Sequence, residues 1–180
     1  MRPIYWFTGC LALCVFSGSI LWAKTRPLDL RDRGLRRAEL SGVNFSDSDL
    51  QGADLEQANL AVAVLRGTNL RQARLGGANL AGANLRQADL SHADLRLACL
   101  ASADLSGADL TGANLAGAGL DGAVLAETRL AGATFDPATV WPKGFIPSDH
   151  GLVYVQLEAP WVNRSRWPRR PDGSAVRPGK

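Results

Sequence analysis

Residues 78–97 read ANLAG ANLRQ ADLSH ADLRL, and these four units show the pattern that decides the fold. From Ala38 to Pro137 the chain divides into 20 such units of five residues. The third residue is Leu in 18 units and Phe in two, the first is Ala in 16, the second is Asp or Asn in 12, and the fifth is Gly in 10. This regularity predicts a single backbone path that is repeated along 38–137.

A five-residue period fits neither standard element of secondary structure. On an α-helix, five steps of about 100° leave successive leucines roughly 140° apart, so they would spiral around every side. On a straight strand, five steps place successive leucines on opposite faces. All leucines point inward only if the backbone turns once per unit, and Gly, Asn and Asp favour tight turns. The sequence therefore predicts a coiled chain with Leu and Ala inside, whose coils hydrogen-bond to one another.

This A-(D/N)-L-x-x pattern resembles the pentapeptide-repeat family. The resemblance implies an all-β fold, a right-handed quadrilateral β-helix with four units per turn and about five coils here. Leu30 and Leu35 extend the pattern imperfectly to about residue 28, and ATFDPATVWPKGF at 133–145 resembles the segment that closes the helix in many members. The leucines expected to fill the axis are Leu50, Leu55, Leu60, Leu65, Leu70, Leu75, Leu80, Leu85, Leu90, Leu95, Leu100, Leu105, Leu110 and Leu115.

The N-terminal stretch 1–23 is apolar from Ile4 to Ala23 after a single arginine. Such a segment is typical of a secretory signal peptide, which would make the mature protein periplasmic or secreted. It is also long enough to be an uncleaved membrane anchor, and the basic residues that follow it resist export of the C-terminal part. A buried N-terminal helix is a third interpretation.

The segments on either side of the repeats are expected to cover the ends of the coil. We expect 24–37 to be an N-terminal cap or linker and 138–158 to be a C-terminal cap, in which Trp141, Phe145 and Ile146 plug the last coil. Within this cap, the stretch 152–155 has strand propensity.

The last segment, 159–180, is rich in Pro and Arg and is expected to be a flexible, partly disordered basic tail. Its arginines, with Trp161 and Trp167, are suited to stacking on nucleic acid or to contact with anionic lipid, although a solvated tail is the simpler interpretation.

Because residues 20 apart stack in the implied helix, the surface can be read as columns. The units 58–62, 78–82 and 98–102 carry no charge, and Glu39 and Asp121 border them. This flat face of small residues is the candidate site for a protein partner or a second copy. The alternatives are a face covered by the C-terminal segment, or ordinary alanine-rich surface. The candidate contact residues are Asn59, Ala61, Val62, Asn79, Ala81, Cys99 and Ala101.

Charge is divided along the chain, which bears a net +3 overall, −6 in 38–137 and +4 in each of 24–37 and 138–180. Some pentapeptide-repeat proteins mimic DNA and bind gyrase, but these are strongly negative and cytoplasmic. The weak charge and the predicted export signal argue against that activity here, and no nucleic-acid partner is expected.

The sequence offers no catalytic, cofactor or metal motif. His92 and His150 lie far apart in the chain, and each repeat aspartate is explained by the consensus. Once 1–23 is removed, Cys99 is the only cysteine left, so no internal disulfide is expected. We therefore predict a non-catalytic scaffold of the cell envelope that binds an unknown protein. The alternatives are a gyrase-binding DNA mimic and an enzyme with a site at the C-terminal cap.

Overall fold

The five-residue units from 28–32 to 128–132 each end in a residue with left-handed backbone geometry. The computed structural model describes residues 27–155, and in it φ is positive at the fifth position of each unit from Asp32 to Gly132. The carbonyl of the third residue accepts a hydrogen bond from the first residue of the next unit, as from Ala78 N to Leu75 O at 3.0 Å. These four residues form a β-turn. The third residue of the turn, which is the fifth residue of the unit, has positive φ, and Gly is favoured there. The backbone therefore changes direction once per unit.

Four units complete one coil. Each second-position residue forms a parallel bridge to the residue 20 positions later, and this series is unbroken from the pair Asp29–Asp49 to the pair Asn114–Thr134. Main-chain hydrogen bonds run along the axis, as from Leu80 N to Cys99 O at 2.7 Å. The rod is therefore a four-sided β-helix in which each side is a ladder of very short strands.

The predicted core is confirmed by the burial of the repeat leucines. All third-position leucines from Leu50 to Leu120 are completely buried, and the first-position alanines from Ala53 to Ala118 are 0% or 1% exposed. Burial of one leucine side chain contributes about 1.5–3 kcal/mol, so a continuous leucine stack supplies the main stabilisation of the rod.

The second-position Asp and Asn residues have a backbone role that the sequence analysis did not identify. In the stack, the N–H of the fourth residue has no main-chain partner. All 12 Asp and Asn side chains at the second position supply the missing acceptor, as Asp94 Oδ1 does for Arg96 N at 3.2 Å. The preference for Asp or Asn thus follows from a local hydrogen bond that either side chain can accept.

The coil begins near residue 28, where the imperfect extension of the pattern placed it, so most of the segment expected to be a cap or linker, 24–37, is part of the coil. Residues 28–37, assigned above to a cap or linker, form two further units of the coil, bridged by Asp29–Asp49 and Gly34–Asp54. Leu35 is buried and the fifth-position residues have positive φ as elsewhere. The consensus is weak here because first-position alanines are needed only where a complete coil encloses them.

The C-terminal end is closed by an irregular turn. Strand β1 (Thr134–Phe135) pairs in parallel with strand β2 (Val153–Tyr154), and a 3-10 helix spans Pro147–His150. The turn begins at buried Asp136, whose Oδ1 accepts hydrogen bonds from the N–H groups of Gly117 at 2.8 Å and Thr139 at 3.0 Å. One extra residue enters the coil at this point, so the bridge Gly119–Val140 joins residues 21 apart.

Aromatic side chains fill the end of the rod, as expected for a plug. Trp141 and Phe145 pack on the leucine core, and their rings stack with centroids 4.8 Å apart. Phe135 contacts Trp141 edge-on, and His150 stacks on Phe145. The predicted strand propensity of 152–155 is confirmed by β2.

Two predicted segments lie outside the described residues, namely the signal peptide or anchor at 1–23 and the basic tail at 159–180. Between residues 27 and 155, no helix is long and apolar enough to span a bilayer.

Candidate interaction face

The candidate contact residues lie on one side of the rod. Bridges join Asn59 to Asn79 and Asn79 to Cys99, and Ala61, Ala81 and Ala101 follow in the adjacent column. We call residues 59–62, 79–82 and 99–102 the uncharged face. Its side-chain contacts form a short amide ladder, in which Asn79 Nδ2 donates to Asn59 Oδ1 at 3.2 Å and Asn59 Nδ2 donates to Glu39 Oε2 at 2.9 Å.

Large apolar side chains border the uncharged face on both sides. Val62, at the corner that follows Ala61, is 61% exposed, and Leu97, at the corner that precedes Cys99, is 73% exposed. Both residues have positive φ, 53° for Val62 and 59° for Leu97. A left-handed conformation is unfavourable for such residues, above all for a β-branched one. The sequence analysis missed Leu97, although an apolar residue at a fifth position that favours Gly was a detectable signal.

Glycines one coil further along make room for these corner side chains. Leu97 Cδ2 lies 2.7 Å from the position that a Cβ on Gly117 would occupy, and Val62 Cγ1 lies 3.3 Å from the same position on Gly82. His92 lies across Gly112 in the same way. Val62, His92 and Leu97 are therefore each paired with Gly 20 positions later, a relation that the five-residue consensus does not show.

The side of the rod that precedes the uncharged face in each coil is charged, and we call it the arginine–aspartate face. It includes Asp54, Arg74 and Asp94 in its bridged column. Arg96 Nη2 lies 2.6 Å from Asp94 Oδ2, and Glu56 pairs with both Arg36 and Arg74. The hydrogen bonds from Arg96 lower the pKa of Asp94 below its ordinary value.

Carboxylates on the two remaining sides are paired as well. Asp104 lies 2.9 Å from Arg86, and Asp109 lies 3.0 Å from Arg129. The hydroxyl of Ser106 donates a hydrogen bond to Asp104 and lowers its pKa. These arginines partly neutralise the negative charge of the repeat region, although exposed ion pairs of this kind contribute little to stability.

The remaining reactive side chains do not converge. His92 is exposed at a corner, and His150 is part of the aromatic stack at the C-terminal end. Within residues 27–155, no group of three or more His, Cys, Asp and Glu side chains is arranged to hold a metal ion. The thiol of Cys99 is free and exposed in the uncharged face.

Comparison with known proteins agrees with this architecture. The family described as pentapeptide repeats matches eight copies over residues 38–76, 63–100 and 103–136. Among solved structures, the pentapeptide repeat protein Rfr23 from the cyanobacterium Cyanothece 51142 is 34% identical with a TM-score of 0.55, over 63% of this chain and 88% of that one. No curated protein matches the chain.

Two further structures of similar sequence superpose less closely. HetL from Nostoc sp. strain PCC 7120, involved in heterocyst differentiation regulation, is 28% identical with a TM-score of 0.36, over 82% of this chain and 76% of that one. A pentapeptide repeat protein of the Arabidopsis thaliana thylakoid lumen is 36% identical with a TM-score of 0.32, over 56% of this chain and 66% of that one. The repeats, their stacking and the family match lead to one conclusion: the chain belongs to the pentapeptide-repeat family.

Proposed function

We propose that the protein is a non-catalytic scaffold of the cell envelope and that its uncharged face binds a protein partner. The observation that carries the proposal is the pair Val62 and Leu97, which expose large apolar side chains in unfavourable left-handed conformations along the two borders of that face. Both conformation and exposure cost free energy in the isolated rod, and a contact that buries these side chains would recover part of it.

The absence of charge gives the face a second property that suits a partner. Between Glu39 and Asp121 its side chains are Asn, Ala, Val, Gly, Cys and Ser apart from the inward leucines. A surface of this kind can be dehydrated without burying an ion. Its fourth-position alanines are also small enough to allow close approach of another backbone. A partner, or a second copy of the chain, is therefore expected to lie flat against it.

The test places bulky charges on the face. Arginines at Ala61, Ala81 and Ala101 should abolish the contact and leave folding unchanged, because these side chains bond to no other coil. Arginines at the fourth-position residues Ala116, Ala126 and Ala131 of other sides provide the matched control. A photo-crosslinking residue at Ala81 or at Ala131, in cells, measures the contact directly. A discrete adduct at Ala81 that the face arginines remove is the expected result, and equal adducts at both positions would contradict the proposal.

The envelope location rests on the apolar stretch 1–23. Cell fractionation with N-terminal sequencing of the mature chain tests it, and a protein that starts at Met1 in the cytosolic fraction would contradict it. Where such a protein meets an anionic membrane, each arginine of the basic segment 159–180 would add about 1 kcal/mol of attraction to the lipid.

The ion pairs favour the scaffold over the DNA-mimic alternative. Mimicry of duplex DNA needs rows of uncompensated carboxylates, whereas Asp54, Asp89, Asp94, Asp104 and Asp109 all pair with arginines. A gyrase supercoiling assay with the repeat protein discriminates between the two, and inhibition at micromolar concentration would support the mimic. The junction between rod and cap is occupied by packed rings, which gives the enzyme alternative no support.

A further inference from the structure

The side of the rod that carries the uncharged face consists of two unlike halves. Its second-position residues are Asn59 and Asn79 in the second and third coils, and Cys99 and Gly119 in the fourth and fifth. Each of the two amides accepts the fourth-position N–H of its own unit. We call the second and third coils the amide half of this side, and the fourth and fifth coils the open half.

The open half leaves two main-chain donors without a partner. Within residues 27–155, the N–H groups of Ala101 and Asp121 donate to no acceptor, and nowhere else do two such fourth-position groups lie in consecutive coils. On the amide half, Asn79 Oδ1 accepts one hydrogen bond from these residues, and a carbonyl oxygen can accept two. One half therefore has spare donors, and the other has a spare acceptor.

The borders of this side combine large residues with gaps of matching position. Leu97 is the corner that precedes the face in the fourth coil, and the same corner of the third coil is Gly77. Val62 is the corner that follows the face in the second coil, and the same corner of the fifth coil is Gly122. A two-fold axis that crosses the rod midway between the third and fourth coils exchanges these positions, because it reverses the order of the coils and retains each border.

We propose that the occupant of the uncharged face is a second copy of this chain, related by that two-fold axis, with the two rods antiparallel. This inference rests on the proposed function and names the partner. Each Leu97, which is 73% exposed, then lies against Gly77 of the partner subunit, and each Val62 lies against Gly122 of the partner subunit. The contact buries both apolar side chains, and the glycines leave room for them.

The same axis brings the amide half of one copy against the open half of the other. Asn79 faces the Ala101 N–H of the partner subunit, and Asn59 faces the N–H of Asp121 of the partner subunit. Asp121 lies at the outer end of the contact, where its carboxylate stays in water. Four coils give an interface only about 19 Å long, so we expect a dimer that dissociates at micromolar concentration.

Sedimentation equilibrium of the full chain between about 1 µM and about 1 mM measures this dimer. Ala81→Arg inserts a charged side chain at the centre of the contact and should raise the Kd of the dimer about tenfold or more. Ala126→Arg, at the fourth position of another side, is the matched control and should leave the Kd unchanged.

Disulfide formation tests the register of the two rods. In a background with Cys10→Ser and Cys14→Ser, Asn79→Cys should form a disulfide with Cys99 of the partner subunit on mild oxidation, because these two positions face each other. Asn59→Cys is one coil, about 4.8 Å, out of register with Cys99 of the partner subunit and should form little disulfide. The background with Cys99 alone, which is out of register with itself by the same distance, should remain reduced.

Other results would overturn the proposal. A monomer at all concentrations would exclude pairing of two copies, and a discrete adduct with a different protein at Ala81 in cells would then leave the proposed function intact. A monomer without such an adduct would contradict both. A dimer that Ala81→Arg does not weaken would assign the contact to another surface. Faster disulfide formation by Asn59→Cys than by Asn79→Cys would exclude the register in which Leu97 meets a glycine.

Discussion

The uncharged face and the arginine–aspartate face are neighbours on the same backbone, but their side chains have different roles. Both have the same turns, and on both an Asp or Asn side chain accepts the fourth-position N–H, at Asn79 and at Asp94. At the fourth position itself, Arg36 and Glu56 reach across coils on the charged face, whereas Ala61 and Ala81 on the uncharged face reach no other coil. The comparison teaches that the backbone and the leucines hold the rod together, so the outward side chains of the uncharged face are available for contact.

The largest expected effect is the difference in unfolding free energy between a substitution of a buried residue and one of an outward residue on the side of the uncharged face. Leu80→Ala should lower the free energy of unfolding by about 2–5 kcal/mol, since it removes a completely buried side chain. Ala81→Arg, on the adjacent outward position, should change it by less than about 0.5 kcal/mol. Urea denaturation of the two variants measures both. A destabilisation by Ala81→Arg comparable to that of Leu80→Ala would contradict this prediction, because the outward residues of the uncharged face would then contribute to the stability of the rod.

The next effect concerns the corner that separates the two faces. Gly117 and Gly132 have the same φ of 68°, but only Gly117 lies beneath a large side chain, that of Leu97. Gly132→Ala should cost about 1–2 kcal/mol from left-handed strain alone. Gly117→Ala should cost about 1–3 kcal/mol more, because its Cβ meets Leu97.

Thermal and urea unfolding measure this difference, and Leu97→Ala provides the control for its cause. In the Leu97→Ala background the two glycine substitutions should have nearly equal costs. A difference that persists there would show that the clash with Leu97 is not its origin.

A smaller effect tests whether the two faces share the same backbone support. Asn79→Ala and Asp94→Ala each remove the acceptor of a fourth-position N–H, and each should cost about 0.5–1.5 kcal/mol. Asp94→Asn retains an acceptor oxygen and should cost clearly less than Asp94→Ala. A much larger loss for Asp94→Ala than for Asn79→Ala would mean that the Arg96 ion pair outweighs the turn, and unfolding by urea distinguishes these outcomes.

The resemblance to the pentapeptide-repeat family was sufficient to predict which residues share a side, because the four units per turn that it implies give a period of 20 residues. An apolar residue at a fifth position marks Leu97 and Val62 as unusual, but the positive φ that makes them strained is seen only in the structure. The glycine opposite each of them lies 20 residues away and becomes visible only when the coils are aligned.

The ends of the rod were predicted less well for a related reason. The consensus records what an interior coil needs, with neighbours above and below. In the first coil, Leu28 and Arg33 occupy first positions, which Ala occupies in most other units. The sequence pattern is therefore weak in this coil, although the backbone forms the same turns. At the other end, the insertion at Asp136 depends on one carboxylate that collects several N–H groups, and the sequence shows only an Asp-Pro that resembles a turn.

The smallest predicted effect is the pH dependence that the charged sides alone should confer. Hydrogen bonds from Arg96 lower the pKa of Asp94, and those from Ser106 lower the pKa of Asp104. A carboxyl whose pKa is lower in the folded chain than in the unfolded chain stabilises the fold above the unfolded pKa, about 4, and this contribution is lost as pH falls through the folded pKa. Both side chains are partly exposed, so each should contribute less than about 1 kcal/mol.

Unfolding by urea at about pH 6 and pH 3 measures this contribution. The loss of unfolding free energy between the two pH values should be smaller for Asp94→Asn than for the parent chain. Asn79→Ala, on the uncharged face, should retain the full loss. Equal losses in all three proteins would show that the ion pair of Asp94 does not distinguish the two faces.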